Sequence, residues 1–236
     1  MADDTVDVLI VGAGATGAAV AWSLSDTRMR IMCIEQGDWM NPAESASTKR
    51  DWEVLQQSEF NISPNIRGRP ADYPINEDDS PISVANFNGV GGSTVFYAAH
   101  FPRFHPADFS VRSLDGVADD WPVSYQDLEP FFALNDRNIG VAGLTGDPAY
   151  PTHEPPLPPV PIGVSGETLA RGLNQLGWHW WPADSAIATR DYDGREKCAN
   201  LGPCTGGCAK GAKSSSDIAY WPAAQRMRVE LKTNCR

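Results

Sequence analysis

A glycine-rich turn set directly after an apolar run constrains this chain more than any other segment. Val6 to Val11 is nearly continuous apolar sequence, and Gly12-Ala13-Gly14-Ala15-Thr16-Gly17 follows at once. A helical pattern, a second apolar run from Arg30 to Ile34 and then Glu35 complete the unit. Each glycine has a mechanical reason: Gly12 for a tight strand-to-helix turn, Gly14 for close approach of a pyrophosphate, Gly17 for tight packing of helix on strand. The helix N-terminus offers unpaired N–H groups and the positive end of its dipole to phosphate, so no basic side chain is required. Glu35, 18 residues after Gly17, stands where a carboxylate accepts hydrogen bonds from a ribose diol and repels a 2′-phosphate. The order strand, turn, helix, strand, acid therefore predicts a β-α-β dinucleotide site over residues 5–36, rather than an ordinary glycine turn.

Charge and composition exclude several other classes. With 236 residues and 42% hydrophobic content the chain can bury a core as one large or two smaller domains. Its 19 Lys plus Arg against 30 Asp plus Glu give a net charge of -11, a surface that repels nucleic-acid backbones. No apolar run is long enough to span a bilayer. Met1-Ala2-Asp3-Asp4 supplies no positive region ahead of the first strand, so the expectation is a cytoplasmic chain without a signal peptide. Five cysteines, an odd number with three close together, do not read as a secreted disulfide framework.

Beyond the first unit the pattern is more broken. Residues 38–83 are polar and punctuated by Asn41-Pro42, Ser63-Pro64, Arg69-Pro70 and Ser80-Pro81, which predicts a surface excursion with at most a short helix near Arg50 to Gln57. A second glycine-rich segment, Gly89 to Thr94, leads into Val95-Phe96-Tyr97. Ser124 with Asp127 three residues on predicts a capped helix carrying Leu128, Phe131 and Phe132. Prolines crowd residues 148–161 and predict an extended crossing. Gly166 to Leu176 has helical spacing with Gly177 as its stop, and Trp178 to Pro182 reads as a core or interface strand. Ser216 to Ala224 is expected to be helical, and Val229 to Thr233 to be a strand.

Together these motifs resemble the glucose-methanol-choline (GMC) family of FAD-dependent oxidoreductases, most closely the branch with the gluconate, fructose and glucose dehydrogenase flavoprotein subunits. The resemblance rests on the first fingerprint with Glu35; on Gly89 to Thr94 followed by Arg103-Phe104 and Asp108-Phe109; on Trp121-Pro122 through Pro130; and on Gly207-Cys208-Ala209-Lys210-Gly211-Ala212-Lys213-Ser214-Ser215. Phe96-Tyr97 departs from the aliphatic residue and Asn or His of many relatives. The implied fold is α/β, a Rossmann-like FAD/NAD(P)-binding domain with inserted substrate-side segments, incomplete at its C-terminal side. Its expected division is an FAD-binding core over 1–99, a substrate-side region over 100–195, and a cysteine loop with return to the FAD domain over 196–236.

The resemblance implies an FAD site made by Gly12, Gly14, Ala15, Thr16, Gly17, Glu35 and Gln36, with Gly91, Gly92, Ser93 and Thr94 against the flavin. FAD is preferred over NAD because a nicotinamide enzyme needs only the first glycine segment. The protein would supply orientation and electrostatics to the flavin's hydride chemistry, on an alcohol, polyol, sugar or sugar-acid donor. Cys198, Cys204 and Cys208 match cysteines that in such subunits hold an iron–sulfur cluster passing electrons to a cytochrome partner, with buried free thiols as the alternative reading; Cys33 and Cys235 are expected to be structural. The family's catalytic histidine pair is expected beyond Arg236. His100, His105, His153 and His179 lie in segments that do not match it, His100 being the nearest substitute because it follows the second glycine segment. The expectation is an N-terminal portion of such an enzyme, with a non-catalytic dinucleotide-binding or electron-transfer module as the alternative.

Overall fold

The computed structural model describes residues 5–236; Met1 to Asp4, on which the argument against a signal peptide rests, lie outside the described residues. Two compact units emerge, one built from residues up to Ala98 together with Cys198–Arg236, the other from Ala99–Lys197.

In the first unit, strand β1 (Val8–Val11), helix α1 (Ala15–Leu24) and strand β2 (Ile31–Ile34) form the β-α-β element that the apolar pattern predicts. β3 (Glu230–Lys232) returns from the end of the chain and joins β2, giving a parallel sheet in the order β1-β2-β3. The register sets Ile10 beside Cys33 and Leu231. Ile10 and Cys33 are buried toward α1, whereas Leu9 and Val11, at 55% and 77% exposure, point to the opposite side of the sheet. α1 rests its smallest side chains, Ala18 and Ala21, on this core. Trp221, fully buried, closes it from the C-terminal segment, where the expected helix is split into Ser216–Ala219 and Trp221–Arg226. Burial pushes the Cys33 thiol up to about 12, so it behaves as a small apolar group.

The polar excursion is held by one buried cation. Arg67 pairs with Asp72 at 2.5 Å and donates to the carbonyls of Asn61 and Asn86, while its guanidinium lies over the Phe96 ring. It thereby ties the short helix Pro64–Arg67 to the Phe87, Val95 and Phe96 core; a second short helix spans Trp52–Leu55.

In the second unit, the Ser124–Asp127 capping box is formed reciprocally and starts the helix Tyr125–Ile139, which Gly140 ends in the left-handed region. The second long helix spans Gly163–Leu176 and stops at Gly177, φ 67°. Ala142 bridges Leu157 on one side and Ser185 on the other, which anchors the proline-rich crossing. The expected Trp178 to Pro182 strand is absent from the regular structure. The Trp178 N–H is spent on the Leu173 carbonyl at 3.0 Å, closing the preceding helix, and Pro182 has no N–H to give a ladder.

Candidate functional site

The peptide of Ala13 is the hub of the first unit. Its N–H donates to Glu35 Oε2 at 2.7 Å, and its carbonyl accepts from the Gly91 N–H at 2.9 Å and from the Trp221 indole at 2.8 Å. Two glycine segments some 80 residues apart in the chain are thus hydrogen-bonded at one peptide. They touch elsewhere too: a Cβ added to Gly92 would lie 2.9 Å from the Gly14 Cα, and one added to Gly17 would lie 2.0 Å from the Gly12 carbonyl oxygen. Gly12 (φ 95°) and Gly91 (φ 97°) adopt left-handed backbone conformations that side chains resist.

Gly14 caps α1 without any side-chain hydrogen bond, and the first turn holds no acidic residue. Its N–H groups therefore face the turn unneutralised, the condition an anion requires. At the end of β2 the Glu35 carboxylate accepts from Ala13 and, through Oε1, from the Gly37 N–H at 2.9 Å. Those bonds fix its position and leave further lone pairs for hydroxyl donors. Gln36 donates to Asn88 Oδ1 at 3.0 Å and to the Tyr73 hydroxyl, while Asn88 Nδ2 is buried without a partner.

The second glycine segment is pinned from below. Thr94 Oγ1 donates to the Gly91 carbonyl at 2.6 Å and accepts from the Ser216 N–H at 3.0 Å; Ser216 Oγ bonds the same Gly91 carbonyl. Ser93 bonds Asn86 Oδ1 at 3.2 Å. Beneath them lies Lys213, 2% exposed, whose ammonium donates to the carbonyls of Val95, Tyr97 and Cys204 at 2.6, 3.2 and 2.8 Å and sits over the Tyr97 ring. Burial pushes its pKa down to about 8. Asp217 is half-buried beside Gly91 with its Oδ1 out of solvent, and burial raises its carboxyl pKa. Lys213 lies in the loop that the sequence singles out, but the supporting roles of Ser216, Asp217 and Trp221 were not legible there.

The three clustered cysteines differ in exposure. Cys198 is exposed and Cys204 and Cys208 are half-buried, and among the described residues no three His, Cys, Asp or Glu side chains stand close enough to hold a metal ion. The Cys198 sulfur accepts from the Asn200 N–H, and Cys204 opens a short 3₁₀ turn whose carbonyl is turned to Lys213. A lysine ammonium thus serves as the positive centre of this loop. Burial raises the Cys204 pKa, offset in part by the Lys213 ammonium nearby.

All four histidines belong to the second unit. His153 Nε2 meets Asp184 Oδ2 at 2.8 Å, and His179 Nε2 meets Asp147 Oδ1 at 2.9 Å. The Asp184 hydrogen bond raises the His153 pKa above its ordinary 6.5, outweighing burial and the nearby Arg103. A raised folded-state value means the pair stabilises fully below the unfolded pKa and loses that contribution as pH rises through the folded value. Thermal melts should therefore show the advantage of the native protein over His153→Gln shrinking as pH climbs above 6.5; an advantage independent of pH would contradict the ion pair.

Comparison with known proteins agrees with this geometry. Residues 10–67 match the family model described as an NAD(P)-binding Rossmann-like domain. The chain is 40% identical over 238 residues to 2-methyl-1,2-propanediol dehydrogenase of Mycolicibacterium austroafricanum, covering 99% of this chain and 42% of that protein. It is 24% identical to the gluconate 2-dehydrogenase flavoprotein of Pantoea cypripedii, covering 97% of this chain and 44% of the relative. The fold resembles the crystal structure of pyridoxine 4-oxidase from Mesorbium loti with a TM-score of 0.58 at 19% identity, over 98% of this chain and 42% of that one. The chain spans less than half the length of these relatives. No described helix is long and apolar enough to cross a membrane. With relatives aligned along nearly the whole of this chain, the sequence is homologous to the N-terminal region of glucose-methanol-choline oxidoreductases.

Proposed function

We propose that the first unit holds FAD and forms the cofactor-binding part of an oxidoreductase acting on CH–OH groups of an alcohol, polyol or sugar, with electrons leaving to an acceptor other than NAD. The observation that carries this is the contact between the two glycine segments, with Gly91 bonded to Ala13 and Gly92 against Gly14. Beyond its ADP half FAD carries the three-ring isoalloxazine, a far larger plane than the single nicotinamide ring of NAD, and a second segment with few side chains gives that plane backbone to lie against.

In this reading Gly12, Gly14, Ala15, Thr16 and Gly17 present the uncapped start of α1 to the pyrophosphate, and Glu35 and Gln36 accept and donate at the ribose. Gly91, Gly92, Ser93 and Thr94 offer backbone and small side chains to the ring system. When bound, FAD supplies the hydride-accepting chemistry; the chain supplies position and a fixed dipole. No histidine belongs to the first unit, so the group that takes the hydroxyl proton is expected from a part of the longer enzyme other than this cradle. The flavoprotein name of one relative supports the cofactor assignment.

Reconstitution with FAD tests the reading directly. Flavin absorbance should co-elute with the purified chain on gel filtration, and NAD should bind more weakly. Tighter binding of NAD, or no retained flavin, would overturn it.

A further inference from the structure

Taking FAD as the ligand of the first unit, the reading on which this rests, we propose that Lys213 is a fixed positive charge that favours the reduced, anionic form of that cofactor over the oxidised one. Lys213 is only 2% exposed. Its ammonium donates to the carbonyls of Val95, Tyr97 and Cys204 at 2.6, 3.2 and 2.8 Å, and lies 5.1 Å from the centre of the Tyr97 ring. Among the described residues no carboxylate stands within ion-pairing distance of it.

Carbonyl dipoles and an aromatic face solvate a cation but leave its charge uncancelled. The groups of opposite sign that act on Lys213 through space are the Cys204 and Cys208 thiols and the Asp217 carboxyl. Burial pushes both Cys204 and Asp217 up, toward their neutral forms. Lys213 itself is taken by burial down to about 8, so the ammonium still prevails at neutral pH. An unpaired cation is costly to bury, and a negative charge brought near it offsets part of that cost.

Location selects which part of the cofactor meets this charge. Val95 directly follows Gly91–Thr94, the segment assigned above to the ring system, and Tyr97 lies just beyond it. The pyrophosphate is served at the other glycine segment, by the uncapped start of α1. Oxidised flavin is neutral at its ring, and uptake of two electrons and one proton leaves one negative charge there. A cation held in a low-dielectric interior therefore stabilises the reduced form more than the oxidised one and raises the reduction potential. With three acceptors fixing the ammonium, no rearrangement is needed as that charge develops.

The experiment is the midpoint potential of the FAD-loaded whole chain at neutral pH, measured against a reference dye in the native protein, Lys213→Gln and Lys213→Arg. Lys213→Gln keeps N–H donors without the charge and should shift the reduction equilibrium toward oxidised FAD by about tenfold or more, which is about 30 mV for a two-electron couple. Lys213→Arg keeps the charge and should restore most of that shift. The native protein should also bind reduced FAD about tenfold tighter than oxidised FAD, a comparison that needs no variant to fold. ADP, which lacks the ring, is the control, and its affinity should agree between native protein and Lys213→Gln within about threefold. An unchanged potential in folded Lys213→Gln, no restoration in folded Lys213→Arg, reduced FAD bound no tighter than oxidised, or ADP weakened as much as FAD would each overturn the proposal. Retained flavin at an unchanged potential would count against the role of Lys213 alone, whereas no retained flavin would overturn the cofactor reading as well.

Discussion

Replacing Gly17 by alanine should cost the protein about 3 kcal/mol and abolish dinucleotide binding. The added Cβ would fall 2.0 Å from the Gly12 carbonyl oxygen and 3.2 Å from Ile10 Cγ2. Both obstacles belong to the strand and the turn themselves, so relief requires α1 to move off the sheet, with the strain typical of overpacked sites. The same substitution at Gly172 should act in the opposite sense. Gly172 lies within the helix Gly163–Leu176, and a Cβ there meets nothing within 4 Å. Gly172→Ala is therefore expected to stabilise by about 0.5–1 kcal/mol through helix propensity and reduced freedom of the unfolded chain. Urea unfolding of the two variants, with flavin retention as a second readout, checks the contrast; a mild effect at Gly17 would mean that the turn yields more easily than its geometry implies.

Lys213→Met should be the most damaging change outside the glycine turns, at about 3 kcal/mol or more. The methionine replaces the stem but none of the donors to Val95, Tyr97 and Cys204. Leaving buried carbonyls unpaired costs more than a hydrogen bond contributes on average. Two of those carbonyls directly follow the second glycine segment, so the variant should also loosen whatever that segment holds. The comparison to make is unfolding midpoint against flavin affinity in the same samples. Loss of less than about 1 kcal/mol would show that the ammonium is not the organising group of the loop.

The β-α-β element was legible in the sequence because its determinants are local: an apolar run, glycines at fixed spacing and a second run ending at Glu35. The same holds for the Tyr125–Ile139 helix, started by the Ser124–Asp127 capping box, and for the Gly177 stop. Local signals failed where a distant or competing partner decided the outcome. The aromatic run at Trp178 has strand propensity, yet its first N–H is captured by the helix before it and Pro182 interrupts any ladder. Three cysteines close in sequence gave no sign of the buried Lys213, whose ammonium meets the carbonyl of the Cys204 turn. Both glycine segments were visible as sequence. Their contact, and the Trp221 indole that reaches Ala13 across 208 positions, exist only through tertiary packing.

That packing has a kinetic consequence. The first unit is interrupted by residues 99–197, so β3, Ser216 and Trp221 reach their partners only after a long stretch of chain has been brought back on itself. Closing a flexible loop of that size costs roughly 4 kcal/mol of entropy, growing as the logarithm of its length. The local strand-helix-strand can form early, whereas the contacts that pin Gly91 and cover Ala13 belong to the last returning segment. Undocking of that segment alone would open the pocket floor without unfolding the sheet. Release of a bound dinucleotide is then expected to follow this partial opening, so that cofactor residence and hydrogen exchange at Ser216 and Trp221 should slow or quicken together.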